Sequence, residues 1–428
     1  MKVLHLAAVN YGGAGSAALR LHSSLRSRGV DSRMLVLTSR GDCRQVASLD
    51  GSLHTFRLLR LINKAYLKFA TKFDYYFQTQ GLSLGVSPEY ILKTAGFFPD
   101  IIVAHVLSNF LSFQDVRALH QITGAPVVWH LLDMGMMTGG CHYAWKCNGY
   151  ENSCVSCPAL RFWVDSNIPA KVLHDKLLSR HEINPSVVVA GSSHLANQAR
   201  RSMLFRDCRV EKILLGVDPE MFCPGNRVEA RRRLDIPEDK KIIFFGAQSL
   251  NEPRKGMEYM IAAMERLAEM SLIAKADILL LTAGAHPLKA SMTKALGLAT
   301  HHLGLLKGGA ALADAYRAAD VFVCPSIEDS GPMMINEAMM CGTPVVAFYM
   351  GVAPDLIVPG ETGELAILKN PTDLARGIAD VITLGNEATE SMSVSARSRA
   401  LSLCHPAVQA AQFCQLFEEI SAAKHSIG

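Results

Sequence analysis

Residues 323–346, VCPSIEDSGPMMINEAMMCGTPVV, limit the possible folds more than any other stretch of this chain. A β-branched run ends at Pro325 and an acidic turn follows. A block of helix formers comes next, then Gly342, Pro344 and a second β-branched pair. Two short buried strands joined through a helix make a parallel crossover unit. Gly331-Pro332 opens the helix, where proline's missing N–H costs nothing. Cys341-Gly342-Thr343-Pro344 closes it with the usual glycine and trailing proline. A helix that starts at the end of a parallel strand directs free N–H groups and a partial positive charge into the crevice above the sheet, a place for a phosphate. Glu337 lies roughly 8 Å along the axis from the helix start at about 1.5 Å per residue. A carboxylate there can accept both hydroxyls of a ribose whose diphosphate rests on Gly331, Pro332 and Met333. Asp329, just before the helix, can reach a sugar beyond the diphosphate.

The 428 residues exceed one ordinary core and predict two domains. Apolar content of 49% with 19% charged residues excludes a disordered chain. No run of about 18 uncharged apolar residues is present to span a bilayer. Met1–Val9 is too short for a signal peptide and reads as a first buried strand, so the expected setting is cytoplasmic. Residues 1–214 carry 24 Lys/Arg against 14 Asp/Glu, or +10; the remainder carries 19 against 25, or −6. A basic first half points to an anionic partner. Zinc-finger, RNP-like and interleaved basic-aromatic patterns are missing, so nucleic acid is not the expected partner.

Strands are expected at Lys2–Val9, Arg33–Thr38, Ile101–His105, Val127–Leu131 and Val187–Ala190, with helices between them. After a turn-rich connector at Leu215–Gly225 the alternation resumes, with strands at Lys241–Gly246, Ala276–Thr282, Val321–Pro325 and Val345–Phe348. Two runs of alternating elements predict an α/β chain of two doubly wound Rossmann-like domains facing a cleft. The expected bounds are 1–214 and 215–406, with a helix in 407–428 packing back on the first domain.

The segment from Asp329 to Val346 resembles the donor-binding segment of family 4 retaining glycosyltransferases of the GT-B fold. There an acid and a Glu stand as far apart as Asp329 and Glu337, followed by Ala-Met-x-x-Gly-x-Pro-Val-Val. The usual first acid is Glu and the usual next pair Phe-Gly; here they are Asp329 and Gly331-Pro332. The resemblance implies a nucleotide-sugar donor, UDP- or GDP-linked, and phosphate-binding cations on the turn after Lys241–Gly246. Lys255-Gly256 matches that pattern. The upstream Arg position holds Ala247, and Arg254 is expected to substitute. Two cations and a helix start stabilise a departing diphosphate without a catalytic metal.

Gly13, Gly15 and Ala18 also satisfy the dinucleotide fingerprint. The second strand then ends at Arg40 where an acid would be wanted for NAD, which leaves NADP as the alternative. In the glycosyltransferase reading, Gly12 and Gly13 let the backbone approach the diphosphate or acceptor. On the acceptor side relatives read Trp-Thr-Leu-His-Asp, with the His near the reacting sugar. Here the segment is Trp129-His130-Leu131-Leu132-Asp133, so Leu132 holds the His position. His130 points the same way along the strand. His130, His105, Asp133 and Asp329 are the catalytic candidates, and a buried satisfied histidine is the plain alternative for His130 and His105.

Cys141, Cys147, Cys154 and Cys157 fall within the loop 138–158 and end in Cys-x-x-Cys-Pro. Four thiolates can close a structural zinc shell; disulfides, free thiols and an iron–sulfur cluster are the other readings. Similar loops occur in a subset of the same family near colanic acid and exopolysaccharide assembly enzymes. Along His54–Phe73, Arg57, Arg60, Lys64, Lys68 and Lys72 recur at helical spacing beside an apolar stripe, which suits an anionic membrane surface.

These readings converge on a retaining hexosyltransferase that elongates a cell-surface glycan or lipid-linked acceptor at the inner face of the plasma membrane. The retaining outcome and the polysaccharide setting are what the resemblance implies. The alternatives are a GT-B nucleotide-sugar epimerase, an NADP-linked oxidoreductase, and a nucleotide-sugar-binding subunit without catalysis.

Overall fold

The computed structural model describes residues 1–41, 45–49, 65–78, 86–288 and 296–427. The chain divides into two compact units, one made of Met1–Gly216 and Pro406–Gly428, the other of Val217–His405.

The first unit is built on a seven-stranded sheet of β1 (Lys2–Val9), β2 (Asp31–Thr38), β3 (Val46–Ser48), β4 (Ile101–Ala104), β5 (Val127–Leu131), β6 (Ser186–Ala190) and β7 (Arg209–Lys212). Their spatial order is β3-β2-β1-β4-β5-β6-β7, and every pair is parallel. Helices cover both faces, so successive residues of a strand enter different cores. Leu4, Leu6, Ile102, Ala104, Val127 and Trp129 pack on one side. Val3, Ile101, Val103, Val128, Val187 and Val189 pack on the other, against Phe413, Leu416 and Phe417 of the closing helix Pro406–Ile427. Trp129 stacks on Phe113 with ring centroids 4.3 Å apart, and its indole N–H donates to Ser186 Oγ at 2.8 Å. A buried Trp thereby keeps its one polar group satisfied.

The second unit carries six parallel strands: β8 (Lys241–Gly246), β9 (Ile278–Ala283), β10 (Ala299–His302), β11 (Val321–Cys324), β12 (Val345–Phe348) and β13 (Gly363–Ala366). Their order is β10-β9-β8-β11-β12-β13. Both sheets therefore start in the middle, wind outward one way and then the other. The order reverses between β1 and β4 in the first unit and between β8 and β11 in the second. In doubly wound sheets ligands bind above such a reversal, at the carboxyl ends of the strands.

Two Rossmann-like units confirm the expected fold class. Strands β3, β7, β10 and β13 were not expected from the sequence. The first three are sheet-edge or near-edge elements of three or four partly exposed residues, VAS, RVEK and ATHH, with too little apolar pattern to register. The helix Met333–Met340 begins one residue later than read, with Pro332 as its N-cap, and Gly342 closes it at φ +75°. Most of the basic stripe expected over His54–Phe73 lies outside the described residues. Residues 65–70 are helical, with Leu67 and Ala70 buried and Tyr66, Lys68 and Phe69 exposed. No helix among the described residues is long and apolar enough to cross a membrane.

Candidate functional site

Above the reversal of the second sheet, the turn after β8 meets the turn after β11. Arg254 Nη1 donates to Asp329 Oδ2 at 2.7 Å, and Lys255 Nζ to the same oxygen at 2.6 Å. Glu252 takes the Nε of Arg254. The backbones lock as well, since Ile327 N–H donates to the carbonyl of Arg254 at 2.8 Å. Gly256 is what permits this approach. Its φ is +72°, and a Cβ there would stand 1.8 Å from the carbonyl oxygen of Pro325. Burial pushes the Asp329 carboxyl up, but the charges of Lys255 and Arg254, the Lys255 hydrogen bond and the Gly331 N–H outweigh it and hold it below the ordinary value.

The sequence reading sent Asp329 toward a sugar and the two cations toward a diphosphate. The structure instead pairs them with one another, with the three side chains 9–18% exposed. The anion that fits this corner must share the cations with Asp329. Four residues past the start of the next helix, Glu337 is buried and accepts from the Tyr316 hydroxyl at 3.2 Å. That bond and Glu252 were not foreseen, since both depend on neighbours far along the chain. Gly331, Pro332 and Met333 lead into the helix directly after the ion cluster, and Gly331 N–H donates to Asp329 Oδ1 at 3.3 Å.

In the first unit Gly12 has φ +71°, and neither Gly12 nor Gly13 has any atom within 4 Å of where a Cβ would stand. Gly15 is the close-packed glycine, 2.6 Å from the Val9 carbonyl oxygen by the same measure. Arg40, the residue behind the NADP alternative, lays its guanidinium over the Tyr11 ring at 4.0 Å.

His130 and His105 differ from expectation. Both rings are fully buried. His5 Nδ1 lies 2.9 Å from His105 Nε2, and His105 Nδ1 lies 2.9 Å from His130 Nδ1, so three imidazoles form a chain through the core. The edge of Phe413 closes one end. Burial lowers the pKa of all three, that of His130 to about 3, and they are neutral at physiological pH. An enclosed neutral ring cannot touch a sugar, so the plain alternative, a core histidine, is the correct reading of both. A fully buried strand offers no polar face by which to tell the two apart in sequence.

Asp133 lies on the loop after β5 and meets a residue that the sequence reading passed over. His142 Nδ1 stands 2.8 Å from Asp133 Oδ2, and its Nε2 stands 3.1 Å from Ser108 Oγ on the loop after β4. Burial pushes the Asp133 carboxyl up, but His142, the Gly135 N–H and Lys176 together draw it below its ordinary value. The available signal was the His directly after Cys141.

Cys141, Cys147, Cys154 and Cys157 are free thiols, not disulfides. With Thr138, Ala144, Tyr150 and Val155 they line one void of about 10 Å³. As placed, no three His, Cys, Asp or Glu side chains among the described residues close tightly enough to hold an ion. The Cys157 thiol is brought down to about 7, first by its hydrogen bond with Cys141 and, against burial, by the amides of Ala159 and Leu160. Burial pushes Cys154 up to about 11.

Residues 226–399 match the family Glycosyl transferases group 1. A D-inositol 3-phosphate glycosyltransferase of Stackebrandtia nassauensis is 31% identical over 181 residues, 39% of this chain and 40% of that one. The sulfoquinovosyl transferase SQD2 of Arabidopsis thaliana is 29% identical over 328 residues, 75% of this chain and 57% of that one. The chain thus spans about half the length of these relatives. Among solved structures, sucrose-phosphate synthase from Thermosynechococcus elongatus superposes with a TM-score of 0.66 at 18% identity, covering 99% of both chains. HepE of Anabaena, in complex with UDP and glucose, gives 0.61 at 16% identity over 98% of this chain and 99% of its own. The two units have the GT-B fold, and residues 226–399, which contain Arg254, Lys255, Asp329 and Glu337, are a group 1 glycosyltransferase domain.

Proposed function

We propose that the chain is a retaining hexosyltransferase that takes a UDP- or GDP-sugar and passes the hexose to a glycan or lipid-linked acceptor in cell-surface polysaccharide assembly. One observation carries the reading. Arg254, Lys255, Asp329 and the start of the Met333–Met340 helix gather at the strand-order reversal of the second unit, inside the family-matched residues. A nucleoside diphosphate gains negative charge as it leaves. Fixed cations and helix N–H groups stabilise that charge more in the transition state than in the ground state. No divalent ion is needed at that corner, because Arg254 and Lys255 supply its charge. Glu337 takes the ribose hydroxyls, held by Tyr316. Asp329 shares the cations with the diphosphate and turns its other oxygen to the hexose. Gly12 and Gly13 bring bare backbone to the donor or acceptor, and Asp133 holds His142 on the acceptor side.

The four-cysteine loop is read as a zinc staple of the first unit and takes no part in the transfer. The protein is further read as cytoplasmic and peripheral at the inner face of the plasma membrane. Support comes from exposed Tyr66, Phe69, Phe162 and Trp163 alongside exposed Lys68, Lys72 and Arg161. The backbone N–H of Arg161 donates to the Ala70 carbonyl at 2.9 Å, which brings the two segments together. Aromatic and basic side chains in one patch suit an anionic lipid interface.

The test is incubation of purified protein with a panel of UDP- and GDP-sugars, following release of nucleoside diphosphate and the anomeric configuration of the product. Turnover of one donor with retention is expected, abolished by Lys255→Ala. Inversion would remove the retaining assignment. Tight donor binding with neither transfer nor hydrolysis would make the protein a binding subunit.

A further inference from the structure

Three of the four sulfurs around the void receive backbone amides. Gly149 N–H donates to Cys147 Sγ at 3.4 Å, the Gly139 amide to Cys154, and the Ala159 and Leu160 amides to Cys157. Cys141 completes the set through its hydrogen bond with Cys157. Amides aimed at sulfur favour the thiolate over the thiol. Nothing in an apolar pocket rewards several adjacent thiolates unless a cation joins them.

A second buried charge stands beside this pocket. Lys176 is 3% exposed. Its ammonium donates to the carbonyls of Gly135 at 2.9 Å, Met136 at 3.3 Å and Thr138 at 2.7 Å, and to no carboxylate. Thr138 lines the void and donates through Oγ1 to the Cys141 carbonyl at 2.6 Å. Burial pulls the Lys176 ammonium down to about 7, and the groups that pull it back are Cys154, Cys141 and Asp133, in that order. A lone buried ammonium is costly. A metal–tetrathiolate centre carries two net negative charges and is the matching anion.

We propose that Cys141, Cys147, Cys154 and Cys157 bind a single tetrahedral zinc ion and that Lys176 is the built-in counter-charge of the resulting dianionic centre. This rests on the zinc part of the reading above and on nothing in the transfer reaction. Binding breaks the remaining S–H bonds, sends those protons to solvent and forms four Zn–S bonds. The sulfurs close the short distance across the void by side-chain rotation. Because His142 follows Cys141 directly, the same ion fixes the ring that Asp133 and Ser108 hold.

The test uses the full chain, purified under reducing conditions, stripped by chelator and titrated with cobalt(II), then zinc. Intense visible bands of tetrahedral thiolate-bound cobalt(II), saturating at one ion per chain and bleached by zinc, are expected. Cys154→Ser should abolish them. Lys176→Met should weaken zinc binding about 10–100-fold, the scale of a lost outer-sphere partner, while Lys176→Arg retains it. Lys176→Gln, which can still donate to the carbonyls, replaces the Met variant if that one does not fold. No cobalt bands with all four thiols reduced, or another stoichiometry, overturns the metal site. Unchanged zinc affinity in both neutral variants overturns the counter-charge. No sugar donor enters these measurements, so their failure is separate from any failure of the transferase reading.

Discussion

Lys255 Nζ lies 2.6 Å from Asp329 Oδ2, across 74 residues of sequence, and shares that oxygen with Arg254. An incoming diphosphate competes with Asp329 for both cations. Lys255→Ala should weaken nucleoside diphosphate binding by about 1–3 kcal/mol, the range for a hydrogen bond to a charged group. Asp329→Asn removes the competitor, so nucleoside diphosphate affinity should hold or rise while sugar transfer falls. Calorimetry with UDP and GDP, alongside transfer rates, checks both. A loss of affinity in Asp329→Asn equal to that in Lys255→Ala would mean that the carboxylate is needed to hold the cations in place.

Glu337→Gln keeps the shape of the side chain and the Tyr316 bond while deleting the charge. Nucleotide binding should drop by about 1–3 kcal/mol. The corresponding 2′-deoxynucleotide should lose little on the same change, because it lacks one of the hydroxyls that the carboxylate would accept. Equal losses for both ligands would place Glu337 away from the ribose.

Two glycines give opposite expectations. Gly256→Ala puts a Cβ into the Pro325 carbonyl at a φ of +72°, and should cost about 2–4 kcal/mol in denaturant unfolding. Gly13→Ala meets open space in the helix Gly12–Ser27 and should leave stability unchanged or raise it by up to about 1 kcal/mol. If backbone approach at Gly13 matters, transfer should nevertheless fall. Wild-type transfer in Gly13→Ala would leave that loop without a role in binding.

The chain of His5, His105 and His130 predicts acid sensitivity. Unfolded, each imidazole takes a proton near 6.5; folded, His130 resists until about 3. Between those values the unfolded chain binds more protons, so stability falls as the pH drops from 6.5 toward 3 and is unaffected above 6.5. The slope is about 1.4 kcal/mol per pH unit for each such histidine. Thermal melts at stepped pH should show it, and His130→Gln should flatten the fall. A melting temperature level from pH 7 to 4.5 would rule the linkage out.

Vesicle sedimentation examines the exposed aromatic and basic patch. Binding should need anionic lipid, weaken with salt, and be lost when Lys68, Lys72 and Arg161 become Glu, each cation contributing roughly 1 kcal/mol. Equal binding to neutral vesicles would assign it to the aromatic residues alone.

The crossover unit around Glu337 was readable because caps, glycine, proline and β-branched runs all act locally. Lys255-Gly256 was readable by resemblance, and the close approach at Pro325 supplies its physical reason. Asp329 was misdirected because its partners lie 74 and 75 residues away, a distance that only folding removes. His105 and His130 were ambiguous because both faces of a parallel sheet are covered, so strand alternation carries no in–out signal. His142 and Lys176 stand on separate loops and helices, and nothing in their spacing announces Asp133 or the thiol pocket.

The closing helix Pro406–Ile427 places Phe413, Leu416 and Phe417 against Val3, Ile101, Val128 and Val189. On the ribosome this imposes an order in time. Residues 1–216 emerge first, yet one side of their sheet stays bare until the last helix is made, after all of Val217–His405 has been synthesised. At about 5–20 residues per second that interval is roughly ten to forty seconds. The second unit can finish folding while the first waits with an open apolar face. A nascent chain halted before residue 406 is therefore an incomplete first unit beside a complete second one, and the chaperone demand of this protein should concentrate in that window.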